Sequence, residues 1–199
     1  MPAAARYLPT AQIESAAPGK GKFKTYPLDY FHIDIAAVQT AQGRLYLLVS
    51  IDRVTKFAFV ERHEKATRSI AGDFLPALIK AVPNTIHTVL TDNGTHFTLP
   101  GNTCSAAADI RRAMKCGEPF RAHAFEYACA QNHIGHRLTK PRYPWTNGQV
   151  EHTNRTIKAA TVKRFHYNTH DQLRRHLGDF VQTYKFGRRL KTLKGFTPR

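Results

Sequence analysis

Residues 30–38 read YFHIDIAAV, a β-rich run in which one carboxylate, Asp34, stands among apolar side chains. Aromatic and β-branched residues suit a pleated, half-buried strand, and a lone acid inside one is costly unless something pairs with it. Two similar runs follow closely: residues 45–51 (LYLLVSI) after Gln42-Gly43, and residues 57–61 (FAFVE) after Asp52-Arg53. Such short separations predict an antiparallel meander. Residues 45–51 are apolar at nearly every position, which predicts a central strand.

Beyond the meander the period changes. Ile70, Phe74, Leu78 and Val82 recur every four residues, so residues 66–82 are expected to form a helix with these side chains on one face. Pro76 falls inside the pattern and should kink that helix or mark its start, since it fixes φ and lacks an N–H. Residues 86–90 are a short apolar strand running into the turn Thr91-Asp92-Asn93-Gly94. Residues 122–133 read as helical and 134–138 as one more strand, after which Pro141, Pro144, Asn147 and Gly148 punctuate a loop. Two helices follow, at about 148–165 and 171–186. The second should bury Leu173, Leu177, Phe180, Val181 and Tyr184 and turn Arg174, Arg175 and Lys185 outward. There is no internal repeat, and the order predicts an α/β fold, a mixed central sheet flanked by helices.

The chain has 199 residues, 42% of them hydrophobic, which is enough for a core and excludes wholesale disorder. No apolar run approaches the ~18–20 residues of a membrane helix. Residues 1–24, rich in Ala, Pro, Gly and Lys, read as a disordered arm or linker without the apolar stretch of a secretory signal. The three cysteines, Cys104, Cys116 and Cys129, make no disulfide framework and suit a reducing compartment, so a cytoplasmic setting is expected. No glycine-rich phosphate loop is present, which argues against an NTPase. His123, Cys129, His133 and His136 fall near one another but match no zinc spacing. Most of the eleven histidines are expected at the surface or on phosphates.

Charge placement narrows the partner. Lysine plus arginine is 30 and aspartate plus glutamate 14, a formal net charge of +16. Residues 131–199 hold 15 basic and only 3 acidic side chains, with Tyr143, Trp145, Phe165 and Tyr167 interleaved. That lopsided excess points to a polyanion, nucleic acid above all.

In a chain short of acids, three stand at element ends. Asp34 lies in the first strand, Asp92 follows an apolar strand, and Glu151 opens a helix after a Pro/Gly-rich loop. Singly, each has an ordinary explanation: a solvent-facing edge, a turn, a helix N-terminus. Together, if the strands carrying Asp34 and Asp92 lie side by side and the helix returns over them, three hard oxygen donors could hold one or two Mg²⁺ ions. Two such ions can clamp an in-line displacement at phosphorus. Arg155 and Lys158 lie four and seven residues after Glu151, on the same helical face. They make either an intrahelical ion pair or two phosphate-binding cations.

At these residues the chain resembles the catalytic core of the DDE transposase and retroviral-integrase superfamily, and within it the bacterial insertion-sequence transposases of family four-eighty-one. The resemblance is carried by Phe31-His32-Ile33-Asp34, by Leu90-Thr91-Asp92-Asn93-Gly94, by the stretch PWTNGQVEHTNR at 144–155, and by the tail KTLKGFTP at 191–198. It implies a ribonuclease H-like fold over residues 25–187, with 98–121 as an insertion and 188–199 as a basic tail. It implies catalytic and metal-binding roles for Asp34, Asp92 and Glu151, with Mg²⁺ or Mn²⁺, two ions, as cofactor. The reaction implied is metal-dependent DNA cleavage followed by attack of the freed 3′-hydroxyl on target DNA, with no covalent protein–DNA intermediate. DNA contacts are expected from Asn93, Lys140, Arg142, Trp145, Asn147, Arg155, Lys158, Lys163 and Arg164, with residues 144–147 as a mobile loop. The partners implied are transposon-end and target DNA and further copies of the chain, in a bacterial cytoplasm.

Three departures stand out. The 58 residues between Asp92 and Glu151 exceed the interval in retroviral integrases, and His152 stands where the family commonly has arginine. Members also carry an N-terminal helix-turn-helix region and further C-terminal sequence, so this chain is expected to be a fragment, a degraded copy or an expressed domain. The alternatives are a hydrolytic nuclease of the same fold and a truncated DNA-binding remnant without catalysis.

Overall fold

The computed structural model describes residues 29–140 and 147–198; the arm expected at 1–24 lies outside them. The meander forms as β1 (Tyr30–Thr40), β2 (Gly43–Asp52) and β3 (Ala58–His63). β1 pairs antiparallel with β2 from Phe31↔Asp52 to Thr40↔Gly43, and β2 pairs antiparallel with β3. Helix α1 (Arg68–Ala81) then crosses over to β4 (Thr88–Thr91), which lies parallel to β1 with Phe31 beside Val89 and His32 beside Leu90. Helices α2 (Ala107–Cys116) and α3 (Ala124–Gln131) lead to β5 (Gly135–Leu138), parallel to β4. Helices α4 (Gly148–Ala160) and α5 (His170–Phe186) and a 3₁₀ turn at Lys191–Leu193 complete the order. The sheet runs β3-β2-β1-β4-β5, so β1 takes the middle and the apolar β2 lies one place aside, still interior.

Side chains alternate across a strand, and each sheet face has its own core. Phe31, Ile33 and Leu48 pack with Phe74, Leu75 and Leu78 of α1 and with Phe125 and Cys129 of α3. On the opposite face, Val38, Leu45, Leu47, Val49 and Ile51 pack with Val150 and Ile157 of α4 and with Leu173 and Leu177 of α5. A sheet covered on both faces explains why β2 reads as a nearly continuous apolar run.

Several expectations need adjusting. Thr67 caps α1, accepting the Ile70 N–H, so Pro76 does not start the helix. It sits on the exposed side of the helix interior, where it returns no N–H to the Gly72 carbonyl. α4 stops at Ala160 rather than near 165: Thr161 leaves helical geometry and turns its hydroxyl onto the Ile157 carbonyl at 2.7 Å. Tyr184, Phe180 and Val181 are half-buried rather than fully buried on α5. Residues 98–121 contain a helix, α2, which buries Ala107, Ile110 and Ala113 and ends on Gly117 at φ +68°. That spacing of three and the left-handed glycine are ordinary helix signals.

The α1–α3 contact depends on a missing side chain. A Cβ at Gly72 would meet Ala124 Cβ at 3.2 Å and its backbone at 3.3 Å, whereas one at Gly178 on α5 would meet nothing within 4 Å. Gly72→Val is therefore expected to destabilise the chain in urea unfolding by about 1–3 kcal/mol through overpacking. Gly178→Ala should stabilise it by about 0.5–1 kcal/mol through helix propensity. Equal effects at both positions would contradict this packing.

Candidate active site

The period-two rule fixes where the strand acid goes. Phe31, Ile33 and Ile35 face α1 and α3, so Asp34 shares the opposite face with Ala36 and Val38, under α4. β4 obeys the same register. The pairing runs to His32↔Leu90, and Asp92 follows just past the end of β4, near enough to act electrostatically on Asp34. Helix α4 lies across β1 and β2 through Val150 and Ile157. Its start is tied down by Gln149, whose Nε2 donates to the Asp52 and Arg53 carbonyls at 3.3 Å.

Asn154, four residues after Val150 on the buried stripe of α4, is aimed at the sheet. Its Nδ2 donates to Asp34 Oδ2 at 2.7 Å, while Asp34 Oδ1 accepts the Ile35 N–H at 2.8 Å. Burial raises the Asp34 pKa above its ordinary value of 3.8, and the nearby carboxylates of Asp92 and Glu151 raise it further against the two hydrogen bonds. Asp34 and Glu151 line one cleft of about 300 Å³ with Asn154, Arg155, Lys158 and Lys163.

Asp92 is half-buried just past β4, and its Oδ1 accepts the Gly94 N–H at 3.0 Å. A Cβ at Gly94 would lie 2.9 Å from that oxygen, so only glycine leaves the carboxylate its place. Asp92 and Glu151 both act electrostatically on Asp34, but the three acids do not form a closed ligand set. Among the described residues no three His, Cys, Asp or Glu side chains are grouped to hold a metal ion. As chemistry, the donors suit a hard divalent cation: they are all carboxylate oxygens, none is in an ion pair among the described residues, and their repulsion is what such a cation would relieve.

The expected DNA contacts divide. Arg155, Lys158 and Lys163 face the cleft. Lys140 is exposed just past β5, at the sheet end where Asp92 lies, and Asn93 is half-buried beside it. Arg164 is exposed, its guanidinium 5.6 Å from the Phe165 ring centre. Asn147 is buried against His32, whose pKa is lowered to about 4 by burial first and by Arg53 second, so Asn147 is closed to a DNA strand here. Arg142 and Trp145, with most of the expected mobile loop, lie outside the described residues. His32, His123 and His136 are buried rather than at the surface. A more enclosed cavity of about 310 Å³ lies between α4, α5 and β3, but no carboxylate among the described residues lines it. Asn154 and Gln149 went unassigned on sequence; the signal for Asn154 was an amide on the apolar stripe of α4.

A mixed five-stranded sheet in this order, helix-covered on both faces, is a ribonuclease H-like fold, as in retroviral integrase catalytic cores. The chain belongs to the integrase core domain family: the family model matches residues 24–144, and a second model of the same description matches 132–198. Among solved structures it is similar to a chain of the simian T-cell lymphotropic virus intasome in complex with the PP2A regulatory subunit B56 gamma. There the TM-score is 0.63 at 20% identity, over 82% of this chain and 50% of that one. It is also similar to the HTLV-2 integrase catalytic core domain in complex with magnesium, in its trimeric form, with a TM-score of 0.61 at 18% identity over 86% and 94% of the two chains. The uncharacterized Caenorhabditis elegans protein K02A2.6 is 29% identical over 141 residues, 69% of this chain but only 9% of that protein. No helix among the described residues is long and apolar enough to cross a membrane.

The raised Asp34 pKa has a signed consequence. A carboxyl whose folded pKa exceeds its unfolded value adds stability below the unfolded value and loses it as pH rises through the folded one. Asp34→Asn removes that loss, and the Asn154 Oδ1, which has no partner among the described residues, can turn to accept the new amide. In EDTA the variant should therefore melt at or above the parent at pH 7, with the gap closing below pH 3.8. A variant clearly less stable at neutral pH would contradict the environment described for Asp34.

Proposed function

We propose that this chain is the catalytic core of a DDE-type transposase of the bacterial insertion-sequence kind, cutting DNA and joining the freed 3′-hydroxyl to target DNA. One observation carries the reading: Asp34, held by Asn154 and repelled by Asp92 and Glu151, opens onto a cleft walled by Arg155, Lys158 and Lys163. Asp34, Asp92 and Glu151 would hold Mg²⁺ or Mn²⁺, two ions in the full reading. When bound, the ions supply charge stabilisation for the attacking and departing oxygens.

The chain's own residues do the rest. Asn154 orients the Asp34 carboxylate, and Gln149 anchors the helix that carries Glu151. Arg155, Lys158 and Lys163 bind the phosphates of the strand. In cleavage, a water oxygen bonds to phosphorus and gives up a proton as the P–O3′ bond breaks, and the departing oxygen takes up a proton to become a 3′-hydroxyl. In joining, that hydroxyl bonds to a target phosphorus and loses its proton as the target's own P–O3′ bond breaks. Because water and the hydroxyl are the nucleophiles, no serine or tyrosine is required. On this reading the protein assembles as a homo-oligomer on DNA in a bacterial cytoplasm.

A second reading, DNA binding without catalysis, is favoured by one feature: the three acids are not drawn into a closed set. A joining assay with a short duplex and a supercoiled plasmid separates the readings. Mg²⁺-dependent joining that Asp92→Asn abolishes, with duplex affinity nearly unchanged, supports the transposase. Cutting without joining indicates a hydrolytic nuclease, and EDTA-insensitive binding without product indicates the remnant. DNA affinity should also fall steeply with salt, and Lys158→Ala should lower the slope of log K against log[salt] by about one. An unchanged slope would remove Lys158 from the phosphate path.

A further inference from the structure

Three buried ionisable side chains on the sheet face opposite the acids have no part in the reading above. They are Glu126 on α3 (0% exposed), His123 at the N-cap of α3 (2%) and His136 on β5 (8%). An apolar trio would fill the same space without the cost of desolvating charge. Each of the three instead reaches a different point of the segment running into and away from Asp92.

His136 Nε2 lies 2.9 Å from Thr91 Oγ1, which itself lies 2.9 Å from the Asp92 carbonyl oxygen. Either tautomer makes the contact: Nε2 donates and Thr91 donates on to Asp92, or Nε2 accepts with Nδ1–H turned toward Glu126 Oε1 at 3.8 Å. His123 Nδ1 accepts the Phe125 N–H, which leaves Nε2 to donate to the Thr95 carbonyl at 3.1 Å. Glu126 Oε1 accepts from Thr98 Oγ1 at 3.2 Å and from the Ala106 N–H at 2.9 Å. Burial lowers the His136 pKa to about 4, so it meets Thr91 as a neutral imidazole at neutral pH. The loop closes on itself between these points, with Gly94 N–H on Asp92 Oδ1 and Phe97 N–H on the Gly94 carbonyl at 2.9 Å.

We propose that His123, Glu126 and His136 form a buried clamp that positions Asp92 from the far side of the sheet. The reason is geometric. The Thr91 hydroxyl sits between His136 and the Asp92 carbonyl, so holding it restrains the peptide from which the Asp92 side chain leaves the end of β4. Holding that hydroxyl, and pinning the loop again at Thr95 and Thr98, fixes the direction from which the carboxylate leaves β4. His136 is a positioning residue, acting on Asp92 through Thr91. The functional side of the proposal rests on Asp92 being a ligand of the reaction's cation.

The test compares His136→Leu, which removes the contact, with His136→Gln, which keeps a polar group within reach of Thr91. Amide hydrogen exchange is measured on the metal-free protein, and MnCl₂ binding by calorimetry. His136→Leu should speed exchange at Gly94, Phe97 and Thr98 relative to amides of the β1–β2 ladder. It should weaken Mn²⁺ binding about 10–100-fold, as loss of an outer-shell partner does, and lower kcat for joining with KM for DNA unchanged. His136→Gln should restore all three. If the leucine variant fails to fold, Thr91→Val must show the same pattern. Uniformly faster exchange in loop and ladder alike, or a glutamine variant as impaired as leucine, would overturn the clamp. A parent that binds no Mn²⁺ would instead sink the catalytic reading while the exchange data still decide the clamp.

Discussion

Parallel pairing of β1 with β4 decides what each side chain near the site can do. Asp34 and Asp92 are far apart in sequence, yet the register that sets Phe31 beside Val89 brings Asp92, just past the end of β4, within electrostatic reach of Asp34. A slip of one residue would turn Val89 out of the core packed by α1 and α3 and bring Thr91 to the α4 side. The same alternation places Asn154 over Asp34 and puts the polar trio of α3 and β5 behind Thr91. The two layers of core hold this register: apolar side chains of β1 and β2 are buried against helices on both faces, so neither face tolerates a slip.

The site is built against electrostatic cost. Asp34 is partly removed from water and sits in the field of two further carboxylates, so its ionised form is disfavoured. Two hydrogen bonds offset only part of that. A fold concerned with stability alone would place an apolar side chain at 34, as it does at 33 and 35. Keeping an acid there makes sense where opposing charge arrives from outside, as a cation at the oxygens and a polyanion along the basic wall. The basic side chains lie where that second partner would run, on the exposed turns of α4 and just beyond them.

Much of this was legible in the chain itself. Strong local signals carried the meander, the strand before Asp92, the α1 stripe and the two C-terminal helices: apolar runs bounded by turn residues mark the strands, and a four-residue recurrence marks α1. The three acids stood out because acids are scarce, Asp34 stands alone among the apolar residues of β1, and Asp92 and Glu151 sit at element ends. Contacts between distant elements were not legible. An amide on the apolar stripe of α4 marks Asn154 as facing the sheet but does not name the carboxylate on β1 as its partner, and nothing local to His136 tells that it will hold Thr91. The early end of α4 was hidden as well, since the bond from the Thr161 hydroxyl to the Ile157 carbonyl is something that apolar periodicity does not register. α2 is different: its burial pattern and terminal glycine were present in a stretch read as an insertion, whose weakly apolar alanines obscured the stripe.

The central claim is that Asp34, Asp92 and Glu151 act on a shared divalent cation. Anomalous diffraction from crystals soaked in MnCl₂, recorded at the manganese edge, addresses it without relying on turnover. The account predicts a peak between the Asp34 and Asp92 carboxylates, with Glu151 turned in from the first turn of α4. Manganese density confined to other surfaces, with these carboxylates keeping their bonds to Asn154 and Gly94 and no ion beside them, would contradict it.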